Sequence, residues 1–264
     1  MADPDLFGRC MADARGALSA FEAYFKCLAD IERINFSIFY DSLDRGRFLV
    51  GLWTTVKLSV ICLVASVAIG VVGAWLQGSR FALTRRIVQG YIQFFRNTPP
   101  LVQLAFFYFA VGAVLPRVPD GGQMVPIVGS FGWAVIAFSF FAGAFNVEIF
   151  RAGIQAVPRA TVEAAEALGY SRLRAYGHIV LPLAFRISLP ALNNNLVNLI
   201  KTTTLAYAIA VPEMLYAAAQ IWSEVLNVRE MMNVLLVTYV ALVGLLVWVM
   251  GRWERAMRIP GYSA

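Results

Sequence analysis

The chain has 264 residues, of which 59% are hydrophobic and only 14% charged, and its mean hydropathy is +0.67. A soluble domain carries about 25% charged residues, so the composition excludes an ordinary water-soluble fold and points to a lipid bilayer. The net charge of +6 does not mark a nucleic-acid binder, because the basic residues sit in loops beside apolar runs.

Residues 1–48 are mixed, with six basic and eight acidic side chains and several aromatics. No apolar core of the signal-peptide kind precedes residue 30, so no cleavage is expected there. Cys10 and Cys27 lie in this segment and can pair if it is outside the cytoplasm, whereas Cys62 lies in an apolar run. Phe36 to Leu49 reads as an interfacial helix leading into the first of five apolar stretches. These run approximately over 50–76, 87–115, 131–150, 187–210 and 231–250. Each is long enough to cross a bilayer as a helix, since about 20 residues suffice. The second is the most polar and carries Pro99-Pro100, which removes two amide donors and breaks or kinks the helix.

Loop charge sets the direction. Arg80, Arg85 and Arg86 follow the first stretch. Arg151, Arg159, Arg172, Arg174 and Arg186 follow the third, and Arg252, Arg255 and Arg258 follow the fifth. The opposite loops hold only Arg117 and Arg229, so the basic side is expected in the cytoplasm, with the N-terminus outside and the C-terminus inside.

The segment between the third and fourth stretches reads EAAEALGYSRLRAYGHIVLP from Glu163 to Pro182. Thr161 is a candidate cap for a short helix, and Ala164, Ala165 and Ala167 let another backbone approach. Glu163 and Glu166 offer charge to a partner's Arg or Lys. Gly169 is expected to end the helix in a left-handed conformation. A second short helix begins at Ser171, Arg172 and Arg174, and Pro182 is expected to end the module. The order EAA, three residues, Gly, nine residues, Ile, one residue, Leu-Pro resembles the coupling loop of the membrane subunits of bacterial ABC importers. Phe95-Arg96-Asn97-Thr98-Pro99-Pro100-Leu101-Val102-Gln103 is similar to a stretch of the polar amino-acid branch, with Asn97 where glycine is commoner.

The resemblance covers roughly residues 48–261. It implies an all-α integral membrane fold of five transmembrane helices, of the type I ABC importer permease kind. Residues 1–48 would form a periplasmic or interfacial segment, and residues 49–261 a permease domain with a coupling loop at 159–182. It also implies a multi-pass protein of the bacterial inner membrane. Its partners would be an ATP-binding cassette ATPase, a second permease subunit (identical or homologous) and an external solute-binding protein. The chain itself has no G-x-x-x-x-G-K-[ST] phosphate cradle and a single histidine, His178. No cofactor is expected in this chain, and ATP and Mg²⁺ would bind the partner. Glu163, Ala164, Ala165, Glu166, Leu168, Gly169 and Arg172 would carry the ATPase contact. The competing class is a self-sufficient secondary transporter or channel, which would show inverted repeats or pore rings.

Polar side chains inside spans are candidates for a solute pathway. They are Arg96, Thr98 and Gln103 around the double proline, then Asn146 and Glu148. Asn194, Asn198, Lys201 and Thr202 complete the set in the fourth stretch. Glu148 can pair with Arg151 three residues on. Lys201 is expected to be buried and to pair with Glu148, with a solute carboxylate as the alternative partner. The Pro212-Glu213-Met214 and Trp222-Ser223-Glu224 segments bracket a helical patch on the outer side.

Overall fold

The computed structural model describes residues 4–14 and 19–257. Arg258 and the last residues of the expected permease domain lie outside the described residues. Helices dominate, and two compact units are distinguished: residues 1–57 with 210–242, and residues 58–209 with 243–264.

In the first unit, α1 (Pro4–Ala14) and α2 (Ala20–Glu32) form a helical pair linked by a Cys10–Cys27 disulfide. Ser19 caps α2 in a reciprocal capping box with Glu22. Glu22 also accepts both terminal nitrogens of Arg45 at 3.1 Å. These bonds to Ser19 and Arg45 hold the Glu22 carboxyl below its ordinary range. The expected interfacial helix over 36–49 is instead a 3₁₀ turn, Ser37–Phe39, followed by a fresh start at Ser42. Asp41 explains the restart, because its carboxylate accepts the amides of Leu43 and Asp44 at 2.7 and 3.2 Å. The helix that follows, α3 (Ser42–Gln77), has 36 residues. At 1.5 Å per residue it is about 54 Å long, more than a bilayer's hydrocarbon thickness of about 30 Å requires.

In the second unit, α4 (Ala82–Asn97) ends before the double proline and α5 (Pro100–Ala105) begins at Pro100. A π turn (Phe106–Val111) and α6 (Gly112–Val114) complete the stretch. A two-stranded hairpin that the sequence did not announce follows. It pairs β1 (Arg117–Asp120) with β2 (Gln123–Pro126), Val118 opposite Val125. Next comes α7 (Ser130–Gln155), half of whose residues are buried. The elbow comprises α8 (Arg159–Ala167) and α9 (Arg172–Ala175). A π turn (Tyr176–Val180) leads into α10 (Leu181–Thr202), which ends in a 3₁₀ turn. The chain then returns to the first unit with α11 (Met214–Val225) and the start of α12 (Val228–Ala256), whose last residues count with the second.

Among the described residues, four helical runs are long and apolar enough to cross a membrane: Ser42–Gln77, Ser130–Gln155, Arg172–Ile209 and Val228–Ala256. The remaining expected span is the broken one, whose apolar part is Pro100–Val114. The centre of the second unit is α7, packed against α10 and α4 around Val88, Ile92, Val147, Phe150, Leu192 and Leu196. Contact with α10 is close enough that a Cβ on Gly153 would meet Ser188 Oγ and, at 2.7 Å, the Ala184 carbonyl oxygen. A small residue is therefore required at this crossing.

Candidate functional site

The elbow is built locally. Its first helix starts at Arg159 after Pro158, with no side-chain cap. Thr161 lies inside it, so the helix begins two residues before the expected cap, directly after Pro158 at the N-cap. The helix ends in a Schellman arrangement. The Tyr170 amide donates to the Ala165 carbonyl at 3.1 Å, and the Gly169 amide donates to Glu166 at 3.0 Å. This geometry places Gly169 at φ +86°, where a Cβ is disfavoured. Across the turn Arg172 Nε approaches Glu166 Oε1 at 3.3 Å, so Glu166 has a partner within the elbow and Glu163 does not share it. Ala165 faces inward at 3% exposure.

The outer face of the elbow presents Glu163, Ala164, Ala167, Leu168 and Leu173. Leu168 and Leu173 are 80% and 83% exposed, an apolar pair on an otherwise polar knob. The base is anchored by Val162 packing on Val157, Val180 and Ala184. Pro182 does not end the module. It lies in the first turn of α10, and the helical run from Arg172 continues through the π turn and past it. The second helix of the elbow, α9, is thus continuous with α10.

The polar residues divide into two groups. Around the double proline, Gln103 is buried and its amide donates to the carbonyls of Phe95 and Thr98, each at 2.9 Å. In an unbroken helix the amide of residue 99 would serve the Phe95 carbonyl, so Gln103 replaces the donor that Pro99 lacks. Thr98 Oγ1 likewise donates to the Phe94 carbonyl at 2.6 Å. Asn146 is fully buried and accepts from Asn195 Nδ2 at 2.7 Å, tying α7 to α10. Thr202 is buried and bonded to the Asn198 carbonyl one turn back. Gln103 and Asn146 thus join neighbouring helices, and Thr98 and Thr202 satisfy carbonyls of their own helices.

The second group is accessible. Asn194, Asn198 and Lys201 share one exposed face of α10, as their spacing requires. Lys201 is therefore not buried, and it forms no ion pair with a described residue. The expected Lys201–Glu148 and Glu148–Arg151 pairs are both replaced, since Glu148 is bound by Arg96 of α4. Arg96 also lies over the Phe145 ring, 5.2 Å from its centroid. Helix pitch alone suggests Arg151 for Glu148, but the crossing of α4 over α7 brings Arg96 closer. In the first unit Glu213, which opens the helical patch noted in the sequence, is not exposed on it. It is fully buried and caps α11 through the amides of Leu215 and Tyr216, and Tyr239 Oη donates to it at 3.0 Å. Burial pushes its carboxyl above the ordinary range, against the pull of those bonds. The cap was legible as an Asp/Glu-type residue after Pro212; its burial was not.

Residues 58–259 match the family described as "Binding-protein-dependent transport system inner membrane component". The chain is 30% identical over 197 residues to the probable glutamine ABC transporter permease protein GlnM of Bacillus subtilis (strain 168), covering 75% of this chain and 86% of the relative. It is 27% identical over 240 residues to the glutamate/aspartate import permease protein GltJ of Escherichia coli (strain K12), covering 86% and 96%. A crystal structure of an amino acid ABC transporter with histidines superposes with a TM-score of 0.71 at 27% identity, over 80% of this chain and 94% of that one. An inward-facing MetNI methionine ABC transporter shares the fold at 19% identity and a TM-score of 0.64, over 83% of this chain and all of that one. With the match extending over most of its length, and with multi-pass helices in the same arrangement, the chain belongs to this inner membrane component family and is a permease subunit of an ABC importer.

Proposed function

We propose that this permease forms half of the pathway of an ATP-driven importer of polar amino acids, and that α8 and α9 are the lever joining it to an ATPase subunit. The single observation that carries the reading is the exposed elbow. A self-contained turn at Gly169 displays Glu163, Ala164, Ala167, Leu168 and Leu173, and a continuous helix runs from it to the polar face of α10. A groove on an ATPase would take the small and apolar side chains and pair with Glu163. ATP and Mg²⁺ bind that partner, and this chain catalyses no reaction.

Asn194, Asn198 and Lys201 line the pathway in this reading, with the Arg96–Glu148 pair on the neighbouring helices. A second permease, identical or homologous, covers the exposed face of α10. A free cation with two amides suits the carboxylate of a polar amino acid. The substrates in the relatives' names support the class. The elbow and the arginine-rich loops face the cytoplasm of the bacterial inner membrane, the N-terminus faces outward, and a solute-binding protein docks on the outer side.

The test is co-purification. The wild-type chain, expressed with its cognate ATPase, should retain it through affinity purification. Glu163→Arg combined with Gly169→Trp should lose it while leaving the permease monodisperse. Retention of the ATPase by that variant would rule out the elbow as the joint.

A further inference from the structure

An apolar groove of about 720 Å³ opens on the second unit. Val71, Trp75, Phe150, Ile154, Leu181 and Phe185 line it. It adjoins a cavity of about 570 Å³ that carries Arg85, Arg86 and Arg151, and Ala74, Gly78, Ile154 and Tyr176 line both. No acidic residue lines either cavity. Arg85 donates to the carbonyls of Ser79 and Arg80, while Arg86 and Arg151 form no ion pair with a described residue. Gln77 lines the basic cavity, and its Oε1 is buried without a hydrogen-bond donor.

We infer that these joined cavities bind one anionic glycerophospholipid, with an acyl chain in the groove and the headgroup phosphate on Arg85, Arg86 and Arg151. The occupant is argued from charge and from shape together. Three guanidiniums with no carboxylate nearby favour a phosphate, which accepts several N–H donors at once. The contiguous groove, within the roughly 300–1,000 Å³ of small-molecule sites, is apolar, so a free phosphate would leave it empty. Exposed Tyr176 lines both cavities and exposed Trp75 lines the groove, and amphipathic aromatics of this kind are enriched at a membrane interface. Basic cavities between membrane helices are suited to such headgroups. A choline headgroup brings a quaternary ammonium that the three guanidiniums repel, so an anionic headgroup is preferred.

Native mass spectrometry of the full-length chain in detergent, titrated separately with phosphatidylglycerol and phosphatidylcholine, tests this. One phosphatidylglycerol should be retained per chain, and phosphatidylcholine should bind roughly 10-fold or more weakly, the preference expected when two or three basic residues engage the phosphate. Arg86→Gln with Arg151→Gln should remove that preference, whereas Arg252→Gln with Arg255→Gln, an equal loss of charge elsewhere, should keep it. Leu181→Trp should lower retention of both lipids by filling the groove. Equal retention of the two lipids by the wild-type chain would overturn the inference whatever the variants do. Displacement of the lipid by inorganic phosphate alone, or equal losses in the two double variants, would overturn it as well. The readout needs no ATPase, so it can fail while the coupling reading stands.

Discussion

Arg96 and Glu148 show how much a single side chain's partner depends on helix crossing. Both are charged within spans, and both remain partly exposed in the chain, at 37% and 26%. Helical spacing put Glu148 beside Arg151 and left Lys201 in need of an acid. The observed pair leaves Lys201 free on the face with Asn194 and Asn198. Local spacing correctly placed those three together, because a helix fixes which residues share a face. Which residue on another helix meets Glu148 is a tertiary fact that spacing does not contain. A double-mutant cycle with Arg96→Gln and Glu148→Gln should give a coupling of about 1–2 kcal/mol in thermal stability. That lies above the 0.2–1 kcal/mol of an exposed pair and below a fully buried one. A coupling near zero would mean that the two charges are solvated independently. Lys201→Gln, having no ion pair to break, should leave stability within about 0.5 kcal/mol, and this can be read in the same unfolding assay.

Between α4 and α5 the break at Pro99-Pro100 was legible, since proline removes donors wherever it stands. The repair was not. Gln103 looked like a pathway residue because polar groups in spans usually serve function, yet it fills the bond that Pro99 cannot make. Gln103→Leu should therefore destabilise the permease by about 1–3 kcal/mol, the cost of leaving a buried carbonyl unpaired. Binding of solute to the assembled importer should change little; a stable variant with lost solute affinity would return Gln103 to the pathway. The paired helices α1 and α2 make a pH prediction. Glu22 has a lowered carboxyl pKa through Ser19 and Arg45, so its bonds favour the folded state above the unperturbed value of 4.5. That contribution is lost as the pH falls through the lower folded value. The difference in thermal midpoint between the wild-type chain and Glu22→Gln should be full at pH 6 and should shrink below pH 4.5. A difference independent of pH would show that the carboxylate is not the source. The capping box could have been read from Ser19 and Glu22, three residues apart, but residues 1–48 lack the long apolar runs that draw attention to the spans.

At the scale of the whole molecule, the sequence was most informative where the chain must satisfy the bilayer. Apolar length located four long helices, each of which extends beyond its expected apolar stretch at one end or both, as Ser42–Gln77 does against 50–76 and Ser130–Gln155 against 131–150, and the double proline explains why the remaining stretch is broken. The 3₁₀ restart before Ser42, the Arg117–Pro126 hairpin and the continuation through Pro182 escaped, because each depends on local hydrogen bonds rather than on hydropathy. The elbow was legible as a motif, and its geometry adds what the motif lacks: an outward face of Glu163, Ala164, Leu168 and Leu173, with the second helix running unbroken into α10. If that run transmits ATP-driven motion, transport must fail when the elbow cannot be gripped. The direct measurement is uptake of a panel of labelled amino acids into proteoliposomes holding the permease, its ATPase and its binding protein. Uptake should require ATP on the ATPase side, and it should fall roughly 100-fold or more in Glu163→Arg with Gly169→Trp, as loss of an allosteric coupling of about 3 kcal/mol demands. Full-rate uptake by that variant, or by the permease with no ATPase present, would contradict the account.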